Sequence, residues 1–360
     1  MAKFGQRRVS VTDWSALSGL GVGRDAFAQG FLAGDAGPDG LLLDDFNPTE
    51  MLGKKGTRTL DRMTAQVVAT AGMVLAGQPD SAEARALVGL VLGTSTGSVQ
   101  SITEFTRDTF VRERPYLVNP ADFPSTVMNN AAGRTAIWYG LRGPNSTIAA
   151  GHLTGLVALQ YASRLIRLGY VDTLLVGAVE EVSEAVSVGV GAMRKAGQVG
   201  AGSGSAPLGE GCVLFLLDGR EDAGDGVGMA ELAGFEFGGT EAGAGPATTA
   251  AGLARTIRAL LARTGVAPAD LWLVSLAQSG DGSLDEAELT AVDEVLGGSG
   301  ARRVVAAERT GNSFSALGAF QLAAALAVAG QDPPGGGPAR PCLLTALGID
   351  GSVGCALVRV

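Results

Sequence analysis

Two pairs of segments recur in the same order along the chain, and they constrain its fold more than any single motif. GHLTGLVALQYASRL (residues 151–165) and GNSFSALGAFQLAAAL (residues 311–326) both set Gly and small polar residues ahead of an apolar helical run. GCVLFLL (211–217) and GCALVRV (354–360) both read as terminal strands led by Gly-Cys. Two echoes in one order point to an internal duplication, with two α/β halves packed face to face.

The intervening sequence fits that outline. Strands are expected at Arg7–Trp14, 86–95, 145–151, Asp172–Glu181 and 211–219, then again at 228–239, 271–276, 302–309, 342–348 and 354–360. Helical spacing of apolar residues falls at Arg58–Gly77, Val99–Arg112, Ala131–Tyr139 and Leu153–Leu168, and later at 247–265, 285–297 and 310–330. The Pro-punctuated YLVNPADFPSTVM (116–128) reads as extended, and KAGQVGAGSGSAPLGEG (195–211) as an exposed linker.

Composition excludes several function classes. A net charge of −9 argues against binding nucleic acid or an anionic membrane. No signal-like apolar segment opens the chain, and no apolar run is read as approaching the length of a membrane span. The 3 cysteines, Cys212, Cys342 and Cys355, are far apart and lack C-x-x-C spacing, which fits small buried thiols in a reducing cytoplasm.

The chain has 1 histidine, His152, and it stands where a Gly-flanked turn enters an apolar helix. Three roles are open to it: a packed, hydrogen-bonded neutral residue, a residual decarboxylase or transacylase group, or a metal ligand. The last lacks partner ligands, so no metal site and no cofactor are expected.

A longer series of motifs runs nearly end to end. RRVSVTDWSALSGLGVGRDAFAQGFLAGDAG is followed in order by GLVLGTSTGS, FPSTVMNNAAGRTAIWYGLRGPNSTI, VDTLLVGAVEE, LGEGCVLFLL and RTGNSFSALGAFQ. In this series the chain resembles a β-ketoacyl synthase of the condensing-enzyme superfamily, and LRGPNSTI is its most specific element. The resemblance implies an α/β, thiolase-like fold of two duplicated α/β halves in a five-layered αβαβα arrangement, here residues 1–220 and 221–360.

Active members of that family carry a cysteine at the mouth of the buried helix, in a pattern like T-A-C-S-S-G. Helix N-terminal N–H groups lower a thiol's pKa there and hold an oxyanion. In STIAAGHLTG the position is His152. The two family histidines, in A-H-G-T-G-T and K-x-x-x-G-H, fall on Gln278 and Asn312, and the lysine falls near Ala307. Neither amide can carry the charge that activates an extender unit. The G-F-G-G gate becomes Gly348-Ile349-Asp350-Gly351, and the loop before LGEG is shortened to GAGSGSAP.

Fold motifs kept and triad lost is the pattern of a chain length factor, the inert β subunit of a type II polyketide synthase. That resemblance implies a heterodimer with an active ketosynthase α subunit and work on acyl and malonyl groups held by acyl carrier protein, in the cytoplasm. Val99, Ile102 and Thr106, spaced to share one helix face, match the positions that end the chain-length tunnel. Asp122, Val127 and Met128 match the loop that crosses toward the partner. NSTIAAG matches the strand that continues the sheet across the dimer. Two alternatives stand beside this: a decarboxylase or acyltransferase using His152 with Asn312 and Gln278, and a homodimeric scaffold.

Overall fold

The computed structural model describes residues 7–34, 41–196, 206–219, 228–332 and 339–360. Its first half runs β1 (Ser10–Ser18), β2 (Gly21–Val22), α1 (Arg24–Ala33), α2 (Pro48–Leu52), α3 (Arg62–Leu75), α4 (Ala82–Ala86), β3 (Val88–Gly93), α5 (Val99–Val111), α6 (Asn130–Tyr139), β4 (Asn145–Ile148), α7 (Thr154–Arg167), β5 (Thr173–Glu180), α8 (Glu184–Lys195) and β6 (Gly211–Asp218). The second runs β7 (Ala230–Gly239), α9 (Pro246–Thr264), β8 (Leu273–Leu276), α10 (Gly282–Leu296), β9 (Arg302–Val305), α11 (Ala307–Thr310), α12 (Leu317–Gln331), β10 (Pro341–Leu347) and β11 (Ser352–Arg359).

The strands lie in the order β4-β3-β5-β6-β1-β7-β11-β10-β8-β9. This is one five-strand pattern written twice. In the first half β3 is parallel to β4 and β5, while β6 is antiparallel to β5 and β1. In the second, β8 is parallel to β9 and β10, while β11 is antiparallel to β10 and β7. The halves meet at a short β1–β7 ladder, Ser10 opposite Glu231 and Val11 opposite Ala230. The duplication read from the Gly-led helices and Gly-Cys strands is thus built into the topology. The expected boundary at residues 220 and 221 lies at the edge of a stretch outside the described residues, as does much of the linker-like 195–211.

Three apolar clusters fill the spaces between layers. Met63, Val67, Val74, Leu90 and Leu214 pack α3 and α6 on the outer face of the first half. Leu253, Ile257, Val292, Leu343 and Leu357 do the same for α9 and α10 on the second. Between the halves, α7 and α12 share the central cluster with Val176, Phe215, Leu344 and Val358. The result is a mixed α/β protein of the thiolase-like fold. α7 and α12 approach closely because two glycines face each other: a Cβ on Gly155 would sit 2.7 Å from the Ala319 nitrogen.

Several expectations need correction. A helix over Phe314–Gln331 is long and apolar enough to cross a membrane, with a mean hydropathy of 1.4, contrary to the reading that no run approaches a span. It is apolar on every side because the central layer buries it on every side; 78% of that window is inside the protein. Residues 120–126 form a 3-10 helix rather than extended chain, because Asn119 caps it by accepting from the Ala121 N–H at 3.2 Å and Pro120 fits its first position. The strand expected to 309 stops at Val305, and α11 follows. The helix α8 was not anticipated, although Ser183 caps it, Glu184 opens it and Arg194 and Lys195 close it, all ordinary end signals.

Candidate functional site

The turn before α7 puts His152 where the sequence places it. Gly151 adopts φ 55, which favours glycine, and the Leu153 and Thr154 N–H groups close back on Ala150 and Gly151 at 3.1 and 3.2 Å. The Thr154 hydroxyl accepts from the Ala150 N–H at 2.8 Å and donates to the Gly151 carbonyl at 2.7 Å, locking the turn. His152 then faces a cavity of about 60 Å³, shared with Asn312, Phe314, Ser279, Asp281, Met193 and Ile349. That space suits a few waters, not an acyl chain.

Burial pushes the His152 imidazole below its ordinary range, and Asp350 and Asp281 only partly oppose this. The ring is therefore neutral at pH 7. It packs against Phe314 with centroids 6.0 Å apart. Among the described residues no protein group hydrogen-bonds its nitrogens, which face the cavity.

The other two expected positions part company. Asn312 does reach the cavity, but both ends of its amide are engaged. Its Nδ2 donates to the Ser279 carbonyl at 2.8 Å and its Oδ1 accepts from the Phe314 N–H at 3.0 Å. Gln278 turns away. Its Nε2 donates to Glu288 at 2.8 Å and to the Asp285 carbonyl at 3.1 Å. Glu288 is buried, gathers the Ala277 and Gln278 N–H groups and the Thr345 hydroxyl, and its carboxyl is raised by burial. Among the described residues Gln278 and Phe314 are the non-glycine residues with positive φ, at 43 and 44. Both flank this site, where backbone strain tends to gather.

No thiol serves the site. Cys342 lies in the central cluster, Cys212 under the first half and Cys355 under the second. Burial pushes Cys212 and Cys342 up to about 12, and Cys355 up as well. Such thiols are inert as nucleophiles. Among the described residues no three His, Cys, Asp or Glu side chains gather as metal ligands.

The gate residues Gly348 to Gly351 form a tight hairpin turn between β10 and β11. The Gly351 N–H donates to Gly348 at 3.0 Å, and Asp350 accepts from the Ser352 N–H at the same distance. Ile349 borders the His152 cavity. Val99 and Ile102 are half-buried and Thr106 is exposed, on a helix with no buried residue. The helix stands because Ser98 caps it and buried Glu181 accepts from the Ser98 hydroxyl at 2.8 Å and the Gln100 N–H at 3.2 Å. Asp122 is exposed and accepts from Asn119 at 3.0 Å, and Val127 and Met128 are each 40% exposed. Around them Phe110, Tyr116, Phe123 and Ile137 are also exposed, and β4 is an open sheet edge. Sequence reasoning missed the contribution of α8, whose Val190, Met193 and Arg194 wall the His152 cavity while the helix packs on α5.

Two five-strand halves of one sheet around two buried helices, with a small pocket at the mouth of the first, define a condensing-enzyme architecture. Residues 32–223 match the β-ketoacyl synthase N-terminal domain and residues 229–331 its C-terminal domain, so the chain belongs to the β-ketoacyl synthase family. A 3-oxoacyl-[acyl-carrier-protein] synthase 2 of Vibrio harveyi is 27% identical, over 88% of this chain and 84% of that one. A putative polyketide β-ketoacyl synthase 1 of Streptomyces virginiae is 25% identical, over 89% and 84%. Among solved structures, the ishigamide ketosynthase/chain length factor is 31% identical, covers 98% of this chain and 99% of its own, and superposes with a TM-score of 0.83. The ketosynthase of AntDE:AntF, solved with its acyl-carrier protein, shares the fold at 22% identity and a TM-score of 0.80.

Proposed function

We propose that this chain is a non-catalytic chain length factor, the partner of an active ketosynthase in polyketide or polyene assembly. The observation that carries the proposal is the mouth of α7. It presents a neutral, packed imidazole where a condensing enzyme needs a thiolate, and all three thiols of the chain are buried elsewhere. Gln278 and Asn312 are tied into the scaffold, which removes the two polar groups that a His152-based decarboxylase would recruit. Likeness to a ketosynthase/chain length factor structure supports the same role.

Acyl carrier protein would then deliver its acyl and malonyl groups to the active partner, and α5 with Val99, Ile102 and Thr106 would close the far end of a shared tunnel. The exposed apolar residues between Phe110 and Ile137 and the open β4 edge are the surface such a partner would cover; stable interfaces of this class bury upwards of about 2,000 Å². A cytoplasmic location goes with this role.

The test is co-expression with a ketosynthase that has an intact Cys-His-His set, followed by condensation assays on carrier-bound acyl and malonyl groups. The isolated chain is expected to be silent, the pair active, and His152→Ala in the pair still active. Condensation by the isolated chain, abolished by His152→Ala, would sink the proposal in favour of a His152 enzyme.

A further inference from the structure

Far from the His152 cavity, at the other end of α7, a second cavity of about 250 Å³ opens between α7, β7 and α9. From His152 to Gln160, the first α7 residue on its wall, the chain climbs about 12 Å of helix. Its walls include Ser163, Arg164, Arg167, Phe235 and Arg263. Gln160, Ser163, Arg164 and Arg167 are spaced i, i+3, i+4, i+7, so one face of the last two turns of α7 looks into it.

Three guanidinium groups converge there with too little to balance them. Arg263 pairs with Glu236 at 2.8 Å and also donates to the Phe235 carbonyl. Arg167 donates to the Leu232 carbonyl at 2.8 Å, but its Nε is buried with no partner. Burial and the nearby Arg263 charge both act against the charged form of Arg167, opposed by Glu231, which Arg359 also approaches at 3.5 Å. Arg164 has no ion-pair partner among the described residues. Ser163 is only 3% exposed, borders the cavity, and its hydroxyl makes no hydrogen bond among the described residues.

An arginine at a helix C-terminus ordinarily answers the helix dipole. That accounts for a charge near the end of α7. It does not account for the Arg167 Nε, which is buried without a partner at a cost in free energy, nor for the cavity in front of it.

We infer that this cleft is a binding site for a phosphate-class oxyanion, held by Arg164, Arg167 and Arg263 with Ser163 donating from the cleft wall. The chemistry fits. A tetrahedral dianion offers several acceptor oxygens to converging guanidinium forks. The volume of about 250 Å³ has room for a phosphoryl group and the start of an ester chain attached to it. The group can come as free inorganic phosphate or as the end of a phosphomonoester.

The test uses the full chain in low-salt, phosphate-free buffer, with melting temperature and calorimetric titration as readouts. Inorganic phosphate and glycerol phosphate are the probes, with chloride at matched ionic strength as the control. A saturable rise in melting temperature with either probe, and none with chloride, supports the site; whichever probe binds more tightly identifies the source. Arg164→Gln, an exposed change that leaves folding intact, should weaken binding by about tenfold or more without lowering the melting temperature of the anion-free chain. Ser163→Ala should weaken it by a smaller factor. Absence of saturable binding by both probes overturns the inference. So does an Arg164→Gln chain that melts lower without anion yet titrates as the parent does, which would mean that the arginines serve only the helix ends.

Discussion

The two halves of the molecule use one strand plan, yet they finish it differently between the second and third strands of that plan. In the second half, residues 277–301 carry β8 to β9 through α10 alone, and Ala287, Ala291, Val292 and Leu296 bury that helix against α9. In the first half, residues 94–144 carry β3 to β4, and α6 takes the α10 role by packing Ala131 and Ala132 with α3. What remains, α5 and the 3-10 segment, is extra, and none of its residues is buried. Phe110 is 82% exposed and Ile137, on the outer side of α6, 77%. A duplicated fold needs only one helix here. The surplus is an apolar surface that the described residues leave exposed, the kind of patch the proposed function would use for a partner.

The sharpest way to break this comparison is to place the same charge in both regions. Val292→Asp buries a carboxylate without a partner and is predicted to cost more than about 3 kcal/mol, enough to unfold the chain or collapse its yield. Phe110→Asp should stay within about 0.5 kcal/mol of the parent, because that position already faces water, yet under the proposed function it should weaken pull-down of a co-expressed ketosynthase. Denaturant melts of both variants decide the first point. If Phe110→Asp destabilises the chain as Val292→Asp does, the extra segment belongs to the core of the fold.

Each half also keeps a buried carboxylate, Glu180 in the first and Glu288 in the second, and burial raises both. Glu180 accepts from the Ser95 N–H at 2.6 Å and from Ser315, next to Phe314, and burial raises it from 4.5 to about 7. The folded state thus holds this proton more tightly than the unfolded chain. Its contribution to stability is fully present below about pH 4.5 and is lost as pH rises through about 7. Glu180→Gln should flatten that decline by about 2–4 kcal/mol between pH 5 and 8. Glu288 is raised in the same direction, so its decline should persist in the variant. Urea melts across that range measure it; an unchanged slope would mean that Glu180 is ionised in the folded chain.

A third change acts on the face of the extra helix that carries Val99, Ile102 and Thr106. Val99→Phe overfills a half-buried position, at a cost of about 1–3 kcal/mol once a partner covers it. Under the proposed function it should shorten the product of the pair by whole two-carbon units while condensation on the shortest primer survives. Mass spectrometry of carrier-bound products reads the result. An unchanged length distribution from Val99→Phe and Ile102→Phe in an assembled pair would remove α5 as the gate.

Much of this was legible in the chain because the fold repeats itself. Gly-led helices and Gly-Cys strands mark positions where backbone must approach backbone, as at Gly155, and such positions leave a residue-level trace. The buried helix could be seen but not told from a membrane span, since both are apolar on every side. His152 was visible as an anomaly at the site. The direction of Gln278 was not, because it is set by Glu288 ten residues on and by a positive φ that glutamine seldom adopts. Nor was the arginine cleft, because it joins two helix ends from different halves. Exposure of α5 was equally hidden. Val99, Ile102 and Thr106 share a face in any helix, and sequence alone does not say whether that face is covered.

The mildest test asks whether α5 is held from within or from outside. Ser98 caps the helix, and its hydroxyl links Ser101 to the buried Glu181. Ser98→Ala removes the cap, for about 1 kcal/mol. In a helix packed into a core that loss would spread to the whole chain as a lower melting temperature. With no buried residue in α5, the loss should stay local: faster amide hydrogen exchange across residues 99–104, unchanged exchange in α10 and a barely altered melting temperature. Under the proposed function, adding a ketosynthase partner should restore protection in 99–104, because the covering surface would then come from outside. Exchange that rises equally in α5 and α10 would show the two regions folding as one unit, and the contrast between the halves would lose its physical basis.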